Sequence, residues 1–255
     1  MSDPLSHTRI AATVEPFGPD IRRTLARFAE LGIPAAQLSA TQPGLRPRDL
    51  DRPARRDLAA TLRRLDLRPA GLDLWIPPEH YGSATHADRA IEAARAAIEL
   101  ARELDRIPIS LQWPHEGDAA TAFTASGRDQ LLEAAADHRV RLIDHHPAAA
   151  SSATTSDLDD VGLDPPLHLA RGDDPVNAAE QAASRLAAVR LCTLNSNAVR
   201  GPLHGGSMDR FDLERLREFL RDIEFTGGLI IDARQWTDPW TGLTLTRNAW
   251  ETTPG

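Results

Sequence analysis

The chain has 255 residues, is 41% apolar and 26% charged, and carries a net charge of −8 at neutral pH, the composition of one large globular domain. All 29 basic residues are arginine, so lysine-dependent chemistry is excluded: a Schiff-base aldolase, a pyridoxal-phosphate enzyme, a P-loop. The lone Cys192 excludes an internal disulfide and a Cys-rich zinc site, and the acidic balance argues against non-specific nucleic-acid binding.

Strand and helix patterns alternate from end to end. Arg9–Val14 reads as a first strand, and an amphipathic helix follows from Asp20 to Leu31, ended by Gly32. Ala35–Ser39 is a second strand and Pro47–Leu65 a second helix. Pro69–Ile76 is a third strand, broken by Pro77-Pro78, and an Ala-rich helix covers His86–Leu104. Ile107–Gln112 is a fourth strand with a helix near Gly127–His138, and Val140–Ile143 is a fifth. Ala148–Ser156, rich in Ala, Ser and Thr, reads either as one short helix or as a loop. Val161–Leu163 is a sixth strand with a helix over Pro175–Leu186, Val189–Leu194 a seventh with a helix over Asp212–Asp222, and Leu229–Ile231 an eighth. The tail from Thr237 to Gly255 reads as a partial last helix.

Eight strands with intervening helices predict a single-domain α/β fold over residues 1–255, a (β/α)8 TIM barrel with its core at about 9–239. A doubly wound open sheet is the alternative, but the first turn carries no Gly-rich dinucleotide fingerprint. No apolar run is long enough to cross a bilayer, and Met1-Ser2-Asp3-Pro4 lacks a signal segment, so a cytoplasmic location without membrane attachment is expected.

Three of the apolar runs end in aspartate: Asp144, Asp164 and Asp232. Side chains at the carboxyl ends of parallel strands meet on one rim, and gathered carboxylates need a cation or shared protons. Each Asp alone could cap the element that follows. Together they point to a divalent ion (Mn, Mg, Zn or Co), with Asp144, Asp164 and Asp232 as ligands. His145 and His146 follow Asp144 directly, and strand alternation sends one of the two inward. His146 is the candidate further ligand, as is His168 in Asp164-Pro-Pro-Leu-His168, where two prolines suggest a stiff loop. Trp75, Glu79, His80, Trp113, His115 and Arg234 sit near other strand ends and are candidate substrate contacts, as is His204 in the loop after the seventh strand.

Leu-Ile-Asp144-His-His, Val-Gly-Leu-Asp164-Pro, the Gly172-Asp173-Asp174-Pro175 turn and Leu-Ile-Ile-Asp232-Ala-Arg together resemble the xylose isomerase-like TIM barrel superfamily. That group contains sugar and sugar-phosphate isomerases and epimerases, and it is related to metal-dependent apurinic endonucleases. The resemblance implies a divalent metal held at the barrel mouth by Glu, Asp, His and Glu from late strands, the two Glu also moving the proton. Asp144 falls at the first Glu, Asp164 at the Asp and Asp232 at the last Glu. Cys192 and Asn195 stand where a His-x-x-Asp-like piece is expected, and His204 is the residue that could substitute.

The implied activity is metal-assisted proton transfer on a small hydroxy-carbonyl sugar or sugar phosphate, with Asp144 and Asp232 as acid and base. A carboxylate withdrawn by about 1 Å, as Asp is relative to Glu, can cost roughly a hundredfold in rate. The competing reading is a degenerate, non-catalytic barrel that binds a ligand or a partner. An abasic-site endonuclease fits least, since it needs several His-bound zinc ions and a basic face. Barrels of this kind often pair through their helices, so a homodimer is the assembly to test, although no seam is written in the sequence.

Overall fold

A computed structural model describes residues 10–115, 125–151 and 160–253, and excludes the side chains of residues 125 and 126. Eight of its strands are parallel and close into a barrel. They are β1 (Ile10–Thr13), β2 (Ala35–Ser39), β3 (Arg68–Asp73), β4 (Ile109–Leu111), β5 (Leu142–Asp144), β6 (Asp160–Leu163), β7 (Leu186–Leu191) and, later in the chain, β10 (Gly228–Ile231). β1 pairs with both β2 and β10, which closes the ring. The predicted fold class is therefore observed.

Helices α1 (Ile21–Glu30), α2 (Arg52–Arg64), α3 (Pro78–Tyr81), α4 (Ala87–Glu103) and α5 (Ala125–His138) follow the first four strands. α6 (Pro147–Ser151), α7 (Pro165–Arg171), α8 (Pro175–Ala182), α9 (Leu213–Asp222) and α10 (Pro239–Thr252) follow the rest. Aspartates start several of them: Asp20, Asp51, Asp174, Asp212 and Asp238 each accept a backbone N–H from the first turn. α1 turns Thr24, Leu25 and Phe28 inward, the spacing of one helical face.

Three expectations are revised. The Asp164-Pro-Pro segment is the start of helix α7 and not a stiff loop, because proline is tolerated in the first helical turn, where its missing N–H costs nothing. The tail forms a full 14-residue helix, α10, because Asp238-Pro239 is a start signal and Leu243 and Trp250 are buried against the barrel. Gly242 permits this, since a Cβ there would lie 2.4 Å from the Trp236 ring. The seventh strand ends at Leu191, and the chain turns through a small antiparallel hairpin of β8 (Thr193–Leu194) and β9 (Arg200–Gly201). Arg9 and residues 152–156, also assigned from sequence, lie outside the described residues.

Two apolar layers are separated by the strands. A large core packs the outer strand faces against the helices, while Ala11, Ala35, Ile143, Ala187, Ala188 and Ile230 form a small separate cluster. Strand alternation then sets what faces the lumen further up: Thr13, Gln37, His145, Arg190 and Asp232 each follow a residue of the small cluster by two positions. Apolar side chains, four of the six alanine, thus fill this layer, and polar ones lie above it.

Candidate functional site: an arginine-neutralised carboxylate rim

The lumen begins with a relay of neutral polar groups. Thr13 Oγ1 donates to Gln37 Oε1 (2.7 Å), Gln37 Nε2 donates to Ser110 Oγ (3.1 Å), and His145 Nε2 lies 3.1 Å from the same hydroxyl. His145 is fully buried, and Gly162 makes space for it: a Cβ at 162 would fall 2.3–2.5 Å from the imidazole. Burial first, then the charge of Arg190, holds the His145 pKa well below that of a free imidazole.

Above this relay lie three carboxylates, Asp73, Asp164 and Asp232, all fully buried. They come from the ends of β3, β6 and β10. Arg190, on β7 and 1% exposed, stands among them. Its Nη2 donates to Asp73 Oδ1 (2.7 Å), its Nη1 donates to Asp164 Oδ2 (2.8 Å), and Nη1 is 3.5 Å from Asp232 Oδ2. Two further guanidiniums close the set. Arg200, carried on β9, donates to Asp164 Oδ2 (2.7 Å) and Asp232 Oδ2 (3.2 Å). Arg234 donates to both oxygens of Asp232 (2.8 and 2.5 Å) and to Asp73 Oδ2 (3.1 Å).

Three negative and three positive charges thus balance within one buried network. Burial alone would raise the carboxyl pKa values of Asp164 and Asp232, but the guanidiniums override it. Asp164 is lowered to about 2 by Arg200 and Arg190, and Asp232 is held well below the carboxylate range by Arg234, Arg190 and Arg200. Trp75 covers the network: its ring centroid is 3.9 Å from the Arg234 guanidinium carbon, 5.5 Å from that of Arg190 and 5.8 Å from that of Arg200.

Asp144 belongs to a different group. Ile143 is a lumen residue and His145 points inward, so alternation turns Asp144 the other way, towards the β4–α5 side. Its Oδ1 accepts from the Trp113 N–H (3.1 Å) and the His146 N–H (2.9 Å), and its Oδ2 is 2.7 Å from His115 Nε2. The His115 and His146 rings stack with centroids 4.4 Å apart.

The remaining sequence candidates are scattered. Trp113 is a buried packing residue 5.7 Å from the Tyr81 ring, and its backbone rather than its indole meets Asp144. His168 is buried in α7, with its pKa lowered chiefly by burial. Cys192 is fully buried, and burial raises its thiol pKa; Arg200 Nη1 lies 3.6 Å from the sulfur. Asn195 caps the hairpin turn by accepting from the Asn197 and Val199 N–H groups. His204 lines another cavity with Asp209 and Thr253, and His80 lines a cavity beside Trp75.

The resemblance implies a metal, and this donor set does not fit one. Asp164 and Asp232 gather at the rim as expected, but their oxygens receive guanidinium N–H groups. Asp144 is turned away from them. The inward position on β5 holds His145, whose Nε2 is committed to Ser110. Asp164 Oδ1 has no hydrogen-bond partner among the described residues, yet one carboxylate oxygen beside two cationic groups is a poor seat for a further cation. Among the described residues no group of three or more His, Cys, Asp or Glu side chains is placed to hold an ion.

Sequence reasoning missed Asp73, Arg190 and Arg200. The signal for Arg190 was available: it is a charged residue inside the apolar strand Leu-Ala-Ala-Val-Arg190-Leu, in phase with Ala188, and such a residue demands a buried counter-ion. Arg200 has no comparable signal, because the sequence runs Thr193 and Leu194 on as the end of the seventh strand and gives no sign of the return strand β9 that delivers it.

No protein-family model matches the chain, and no curated protein sequence does. Solved structures do match in fold. A xylose isomerase domain protein from Planctomyces limnophilus is 15% identical, with a TM-score of 0.70 over 94% of this chain and 92% of that one. An L-ribulose 3-epimerase is 18% identical, with a TM-score of 0.72 over 94% and 91%. A D-psicose 3-epimerase from Clostridium cellulolyticum H10, solved with D-tagatose, is 14% identical, with a TM-score of 0.72 over 95% and 96%. The chain therefore has the barrel fold of the xylose isomerase-like proteins and sugar epimerases.

Proposed function

We propose that this protein is a metal-independent barrel that binds a small sugar or sugar phosphate at its carboxyl-terminal rim, and that it does not perform metal-assisted epimerisation there. One observation carries the reading: Arg190 donates to Asp73 and Asp164 and stands 3.5 Å from Asp232, at the centre of the carboxylate rim. An arginine in that place supplies charge but no Lewis acidity, and with Arg200 and Arg234 it balances the three carboxylates without a further cation.

The proton-transfer roles are also disfavoured. A general acid or base works best with a pKa near the operating pH. Asp232, flanked by three guanidiniums, stays ionised and pinned, while Asp144 lies outside the network and accepts backbone N–H groups. The sugar class of ligand is supported by the fold shared with L-ribulose and D-psicose epimerases.

The test is metal dependence of stability together with elemental analysis of untagged protein. Less than one-tenth equivalent of Mn, Co, Zn or Mg, with an unfolding midpoint indifferent to EDTA and to millimolar metal, is expected. A tightly bound ion present at 100 times its Kd adds about 2.7 kcal/mol. That corresponds to roughly 5–11 °C at about 2–4 °C per kcal/mol for a chain of this size. A stoichiometric ion, or stabilisation on that scale, would overturn the reading in favour of metal-assisted isomerisation.

A further inference from the structure

Beside the charge network, and sharing Trp75 with it, lies a second feature. A cavity of 580 Å³ opens between the segment after β2 and the segment joining β3 to α4, a volume suited to a small ligand. Trp75, at the end of β3 and 36% exposed, forms one wall. Ala90, Ala93 and Ala96 line it from α4 at intervals of three residues, so a ligand can approach the helix closely.

Ala40, Pro47, Ile76 and Pro77 extend the apolar lining, and the cavity's charged groups are mostly cationic. Arg46 and Arg48 enter from the β2 side and Arg89 from α4, with the imidazoles of His80 and His86, whose ring centroids are 4.7 Å apart, between them. Glu92 is the one carboxylate in the lining. Three guanidiniums against one carboxylate make a local excess of positive charge in a protein whose net charge is −8. The constraints on these arginines are slight: Arg46 Nε donates to the Thr41 carbonyl (2.9 Å), and Arg48 has only a 3.8 Å approach to its neighbour Asp49, mostly in solvent. The contrast with Arg190, Arg200 and Arg234 is direct, since those are consumed by carboxylates.

We infer that this cavity is an anion site and that it takes the phosphate of a phosphorylated, sugar-sized ligand, with Arg46, Arg48 and Arg89 on the phosphate and the Trp75 and alanine walls on the ligand body. A phosphate monoester is a dianion with several acceptor oxygens, and guanidinium forks match it in charge and geometry. This deepens the ligand-binding reading above and names the group recognised. It does not depend on whether the rim holds a metal.

The experiment is titration of the full chain, in EDTA, with inorganic phosphate, a hexose 6-phosphate and the unphosphorylated hexose, read by calorimetry and by tryptophan fluorescence. The phosphorylated sugar should bind at least tenfold more tightly than its parent, with affinity falling as ionic strength rises. Arg48→Ala and Arg89→Ala, both at exposed positions that leave folding intact, should each weaken binding about tenfold or more. Trp75→Phe should remove most of the fluorescence change. Equal affinity for the two sugars, no binding of any phosphate compound, or binding unchanged in the Arg48→Ala/Arg89→Ala double variant would overturn the assignment. Because EDTA is present throughout, these outcomes are separate from the metal test.

Discussion

Replacing Arg190 by Met tests the central claim most directly. The wild-type network pairs three buried carboxylates with three guanidiniums. Arg190→Met removes two close donors (2.7 and 2.8 Å) and leaves the lumen with one uncompensated negative charge among groups that are almost wholly buried. Breaking a buried pair by removing one partner costs about 3–5 kcal/mol, because the charge left behind must be desolvated without compensation. At about 2–4 °C per kcal/mol, the unfolding midpoint should fall by roughly 6–20 °C. Arg190→Lys should fall in between, since a single ammonium keeps the charge but cannot fork between Asp73 and Asp164.

The assay is urea and thermal unfolding of wild type and both variants, followed by circular dichroism with and without millimolar Mn or Mg. The variant, not the wild type, should gain stability from metal, because it has three carboxylates and two guanidiniums. A loss below about 1 kcal/mol in Arg190→Met would refute the argument that this guanidinium neutralises the rim.

Acid should unfold the protein in two stages. The folded Asp164 carboxyl, at about 2, lies below its unfolded value of 3.8, so its contribution is complete above pH 3.8 and is lost as pH falls towards 2; Asp232 acts in the same direction. His145 and His168 have lowered folded pKa values, so the unfolded chain takes up protons first and stability should already decline as pH drops below 6.5. A urea midpoint that stays flat from pH 7 to 3 would contradict both. Gly162→Ala should cost about 1–3 kcal/mol, because its Cβ would fall 2.3–2.5 Å from His145; His145→Ala in the same chain should remove that penalty in a double-mutant cycle, and additive effects would count against it. Trp75→Ala should cost about 0.5–2 kcal/mol through lost guanidinium–indole contact, measured by chemical unfolding, with Trp75→Phe losing less.

The fold was legible because its signals are local and repeated. Ala35–Ser39 matches its predicted strand end to end, and the Ala-rich segment matches α4 to within one residue at either end, since the first is a short apolar run and the second repeats its buried alanines at helical spacing. The site was half legible. Asp164 and Asp232 do converge on the rim, a consequence of parallel strands ending together. Asp144 also ends its strand, but a shift of one residue turns a side chain to the opposite face, and three consecutive polar residues, Asp144-His145-His146, left the phase undetermined from sequence. The pairing of Asp73 with Arg190 joins residues 117 positions apart, and no local pattern encodes a contact of that range.

The arginine network also explains how the barrel keeps its epimerase-like shape with a different electrostatic solution. Parallel strands deliver carboxylates to one rim whatever the chemistry, and that rim must be neutralised for the fold to close. A divalent ion neutralises reversibly: it can be exchanged, and its open coordination positions accept substrate oxygens. Guanidinium groups neutralise permanently. They cannot be deprotonated at accessible pH, they are covalently part of the chain, and here their donors are directed to Asp73, Asp164 and Asp232. Trp75 then lies over the three guanidiniums where a substrate would have to approach. Likeness of fold does not by itself carry chemistry across, because chemistry belongs to the site. The rim arginines are committed inward, while those of the neighbouring cavity, Arg46, Arg48 and Arg89, stand at its surface, and it is there that ligand recognition has room to operate.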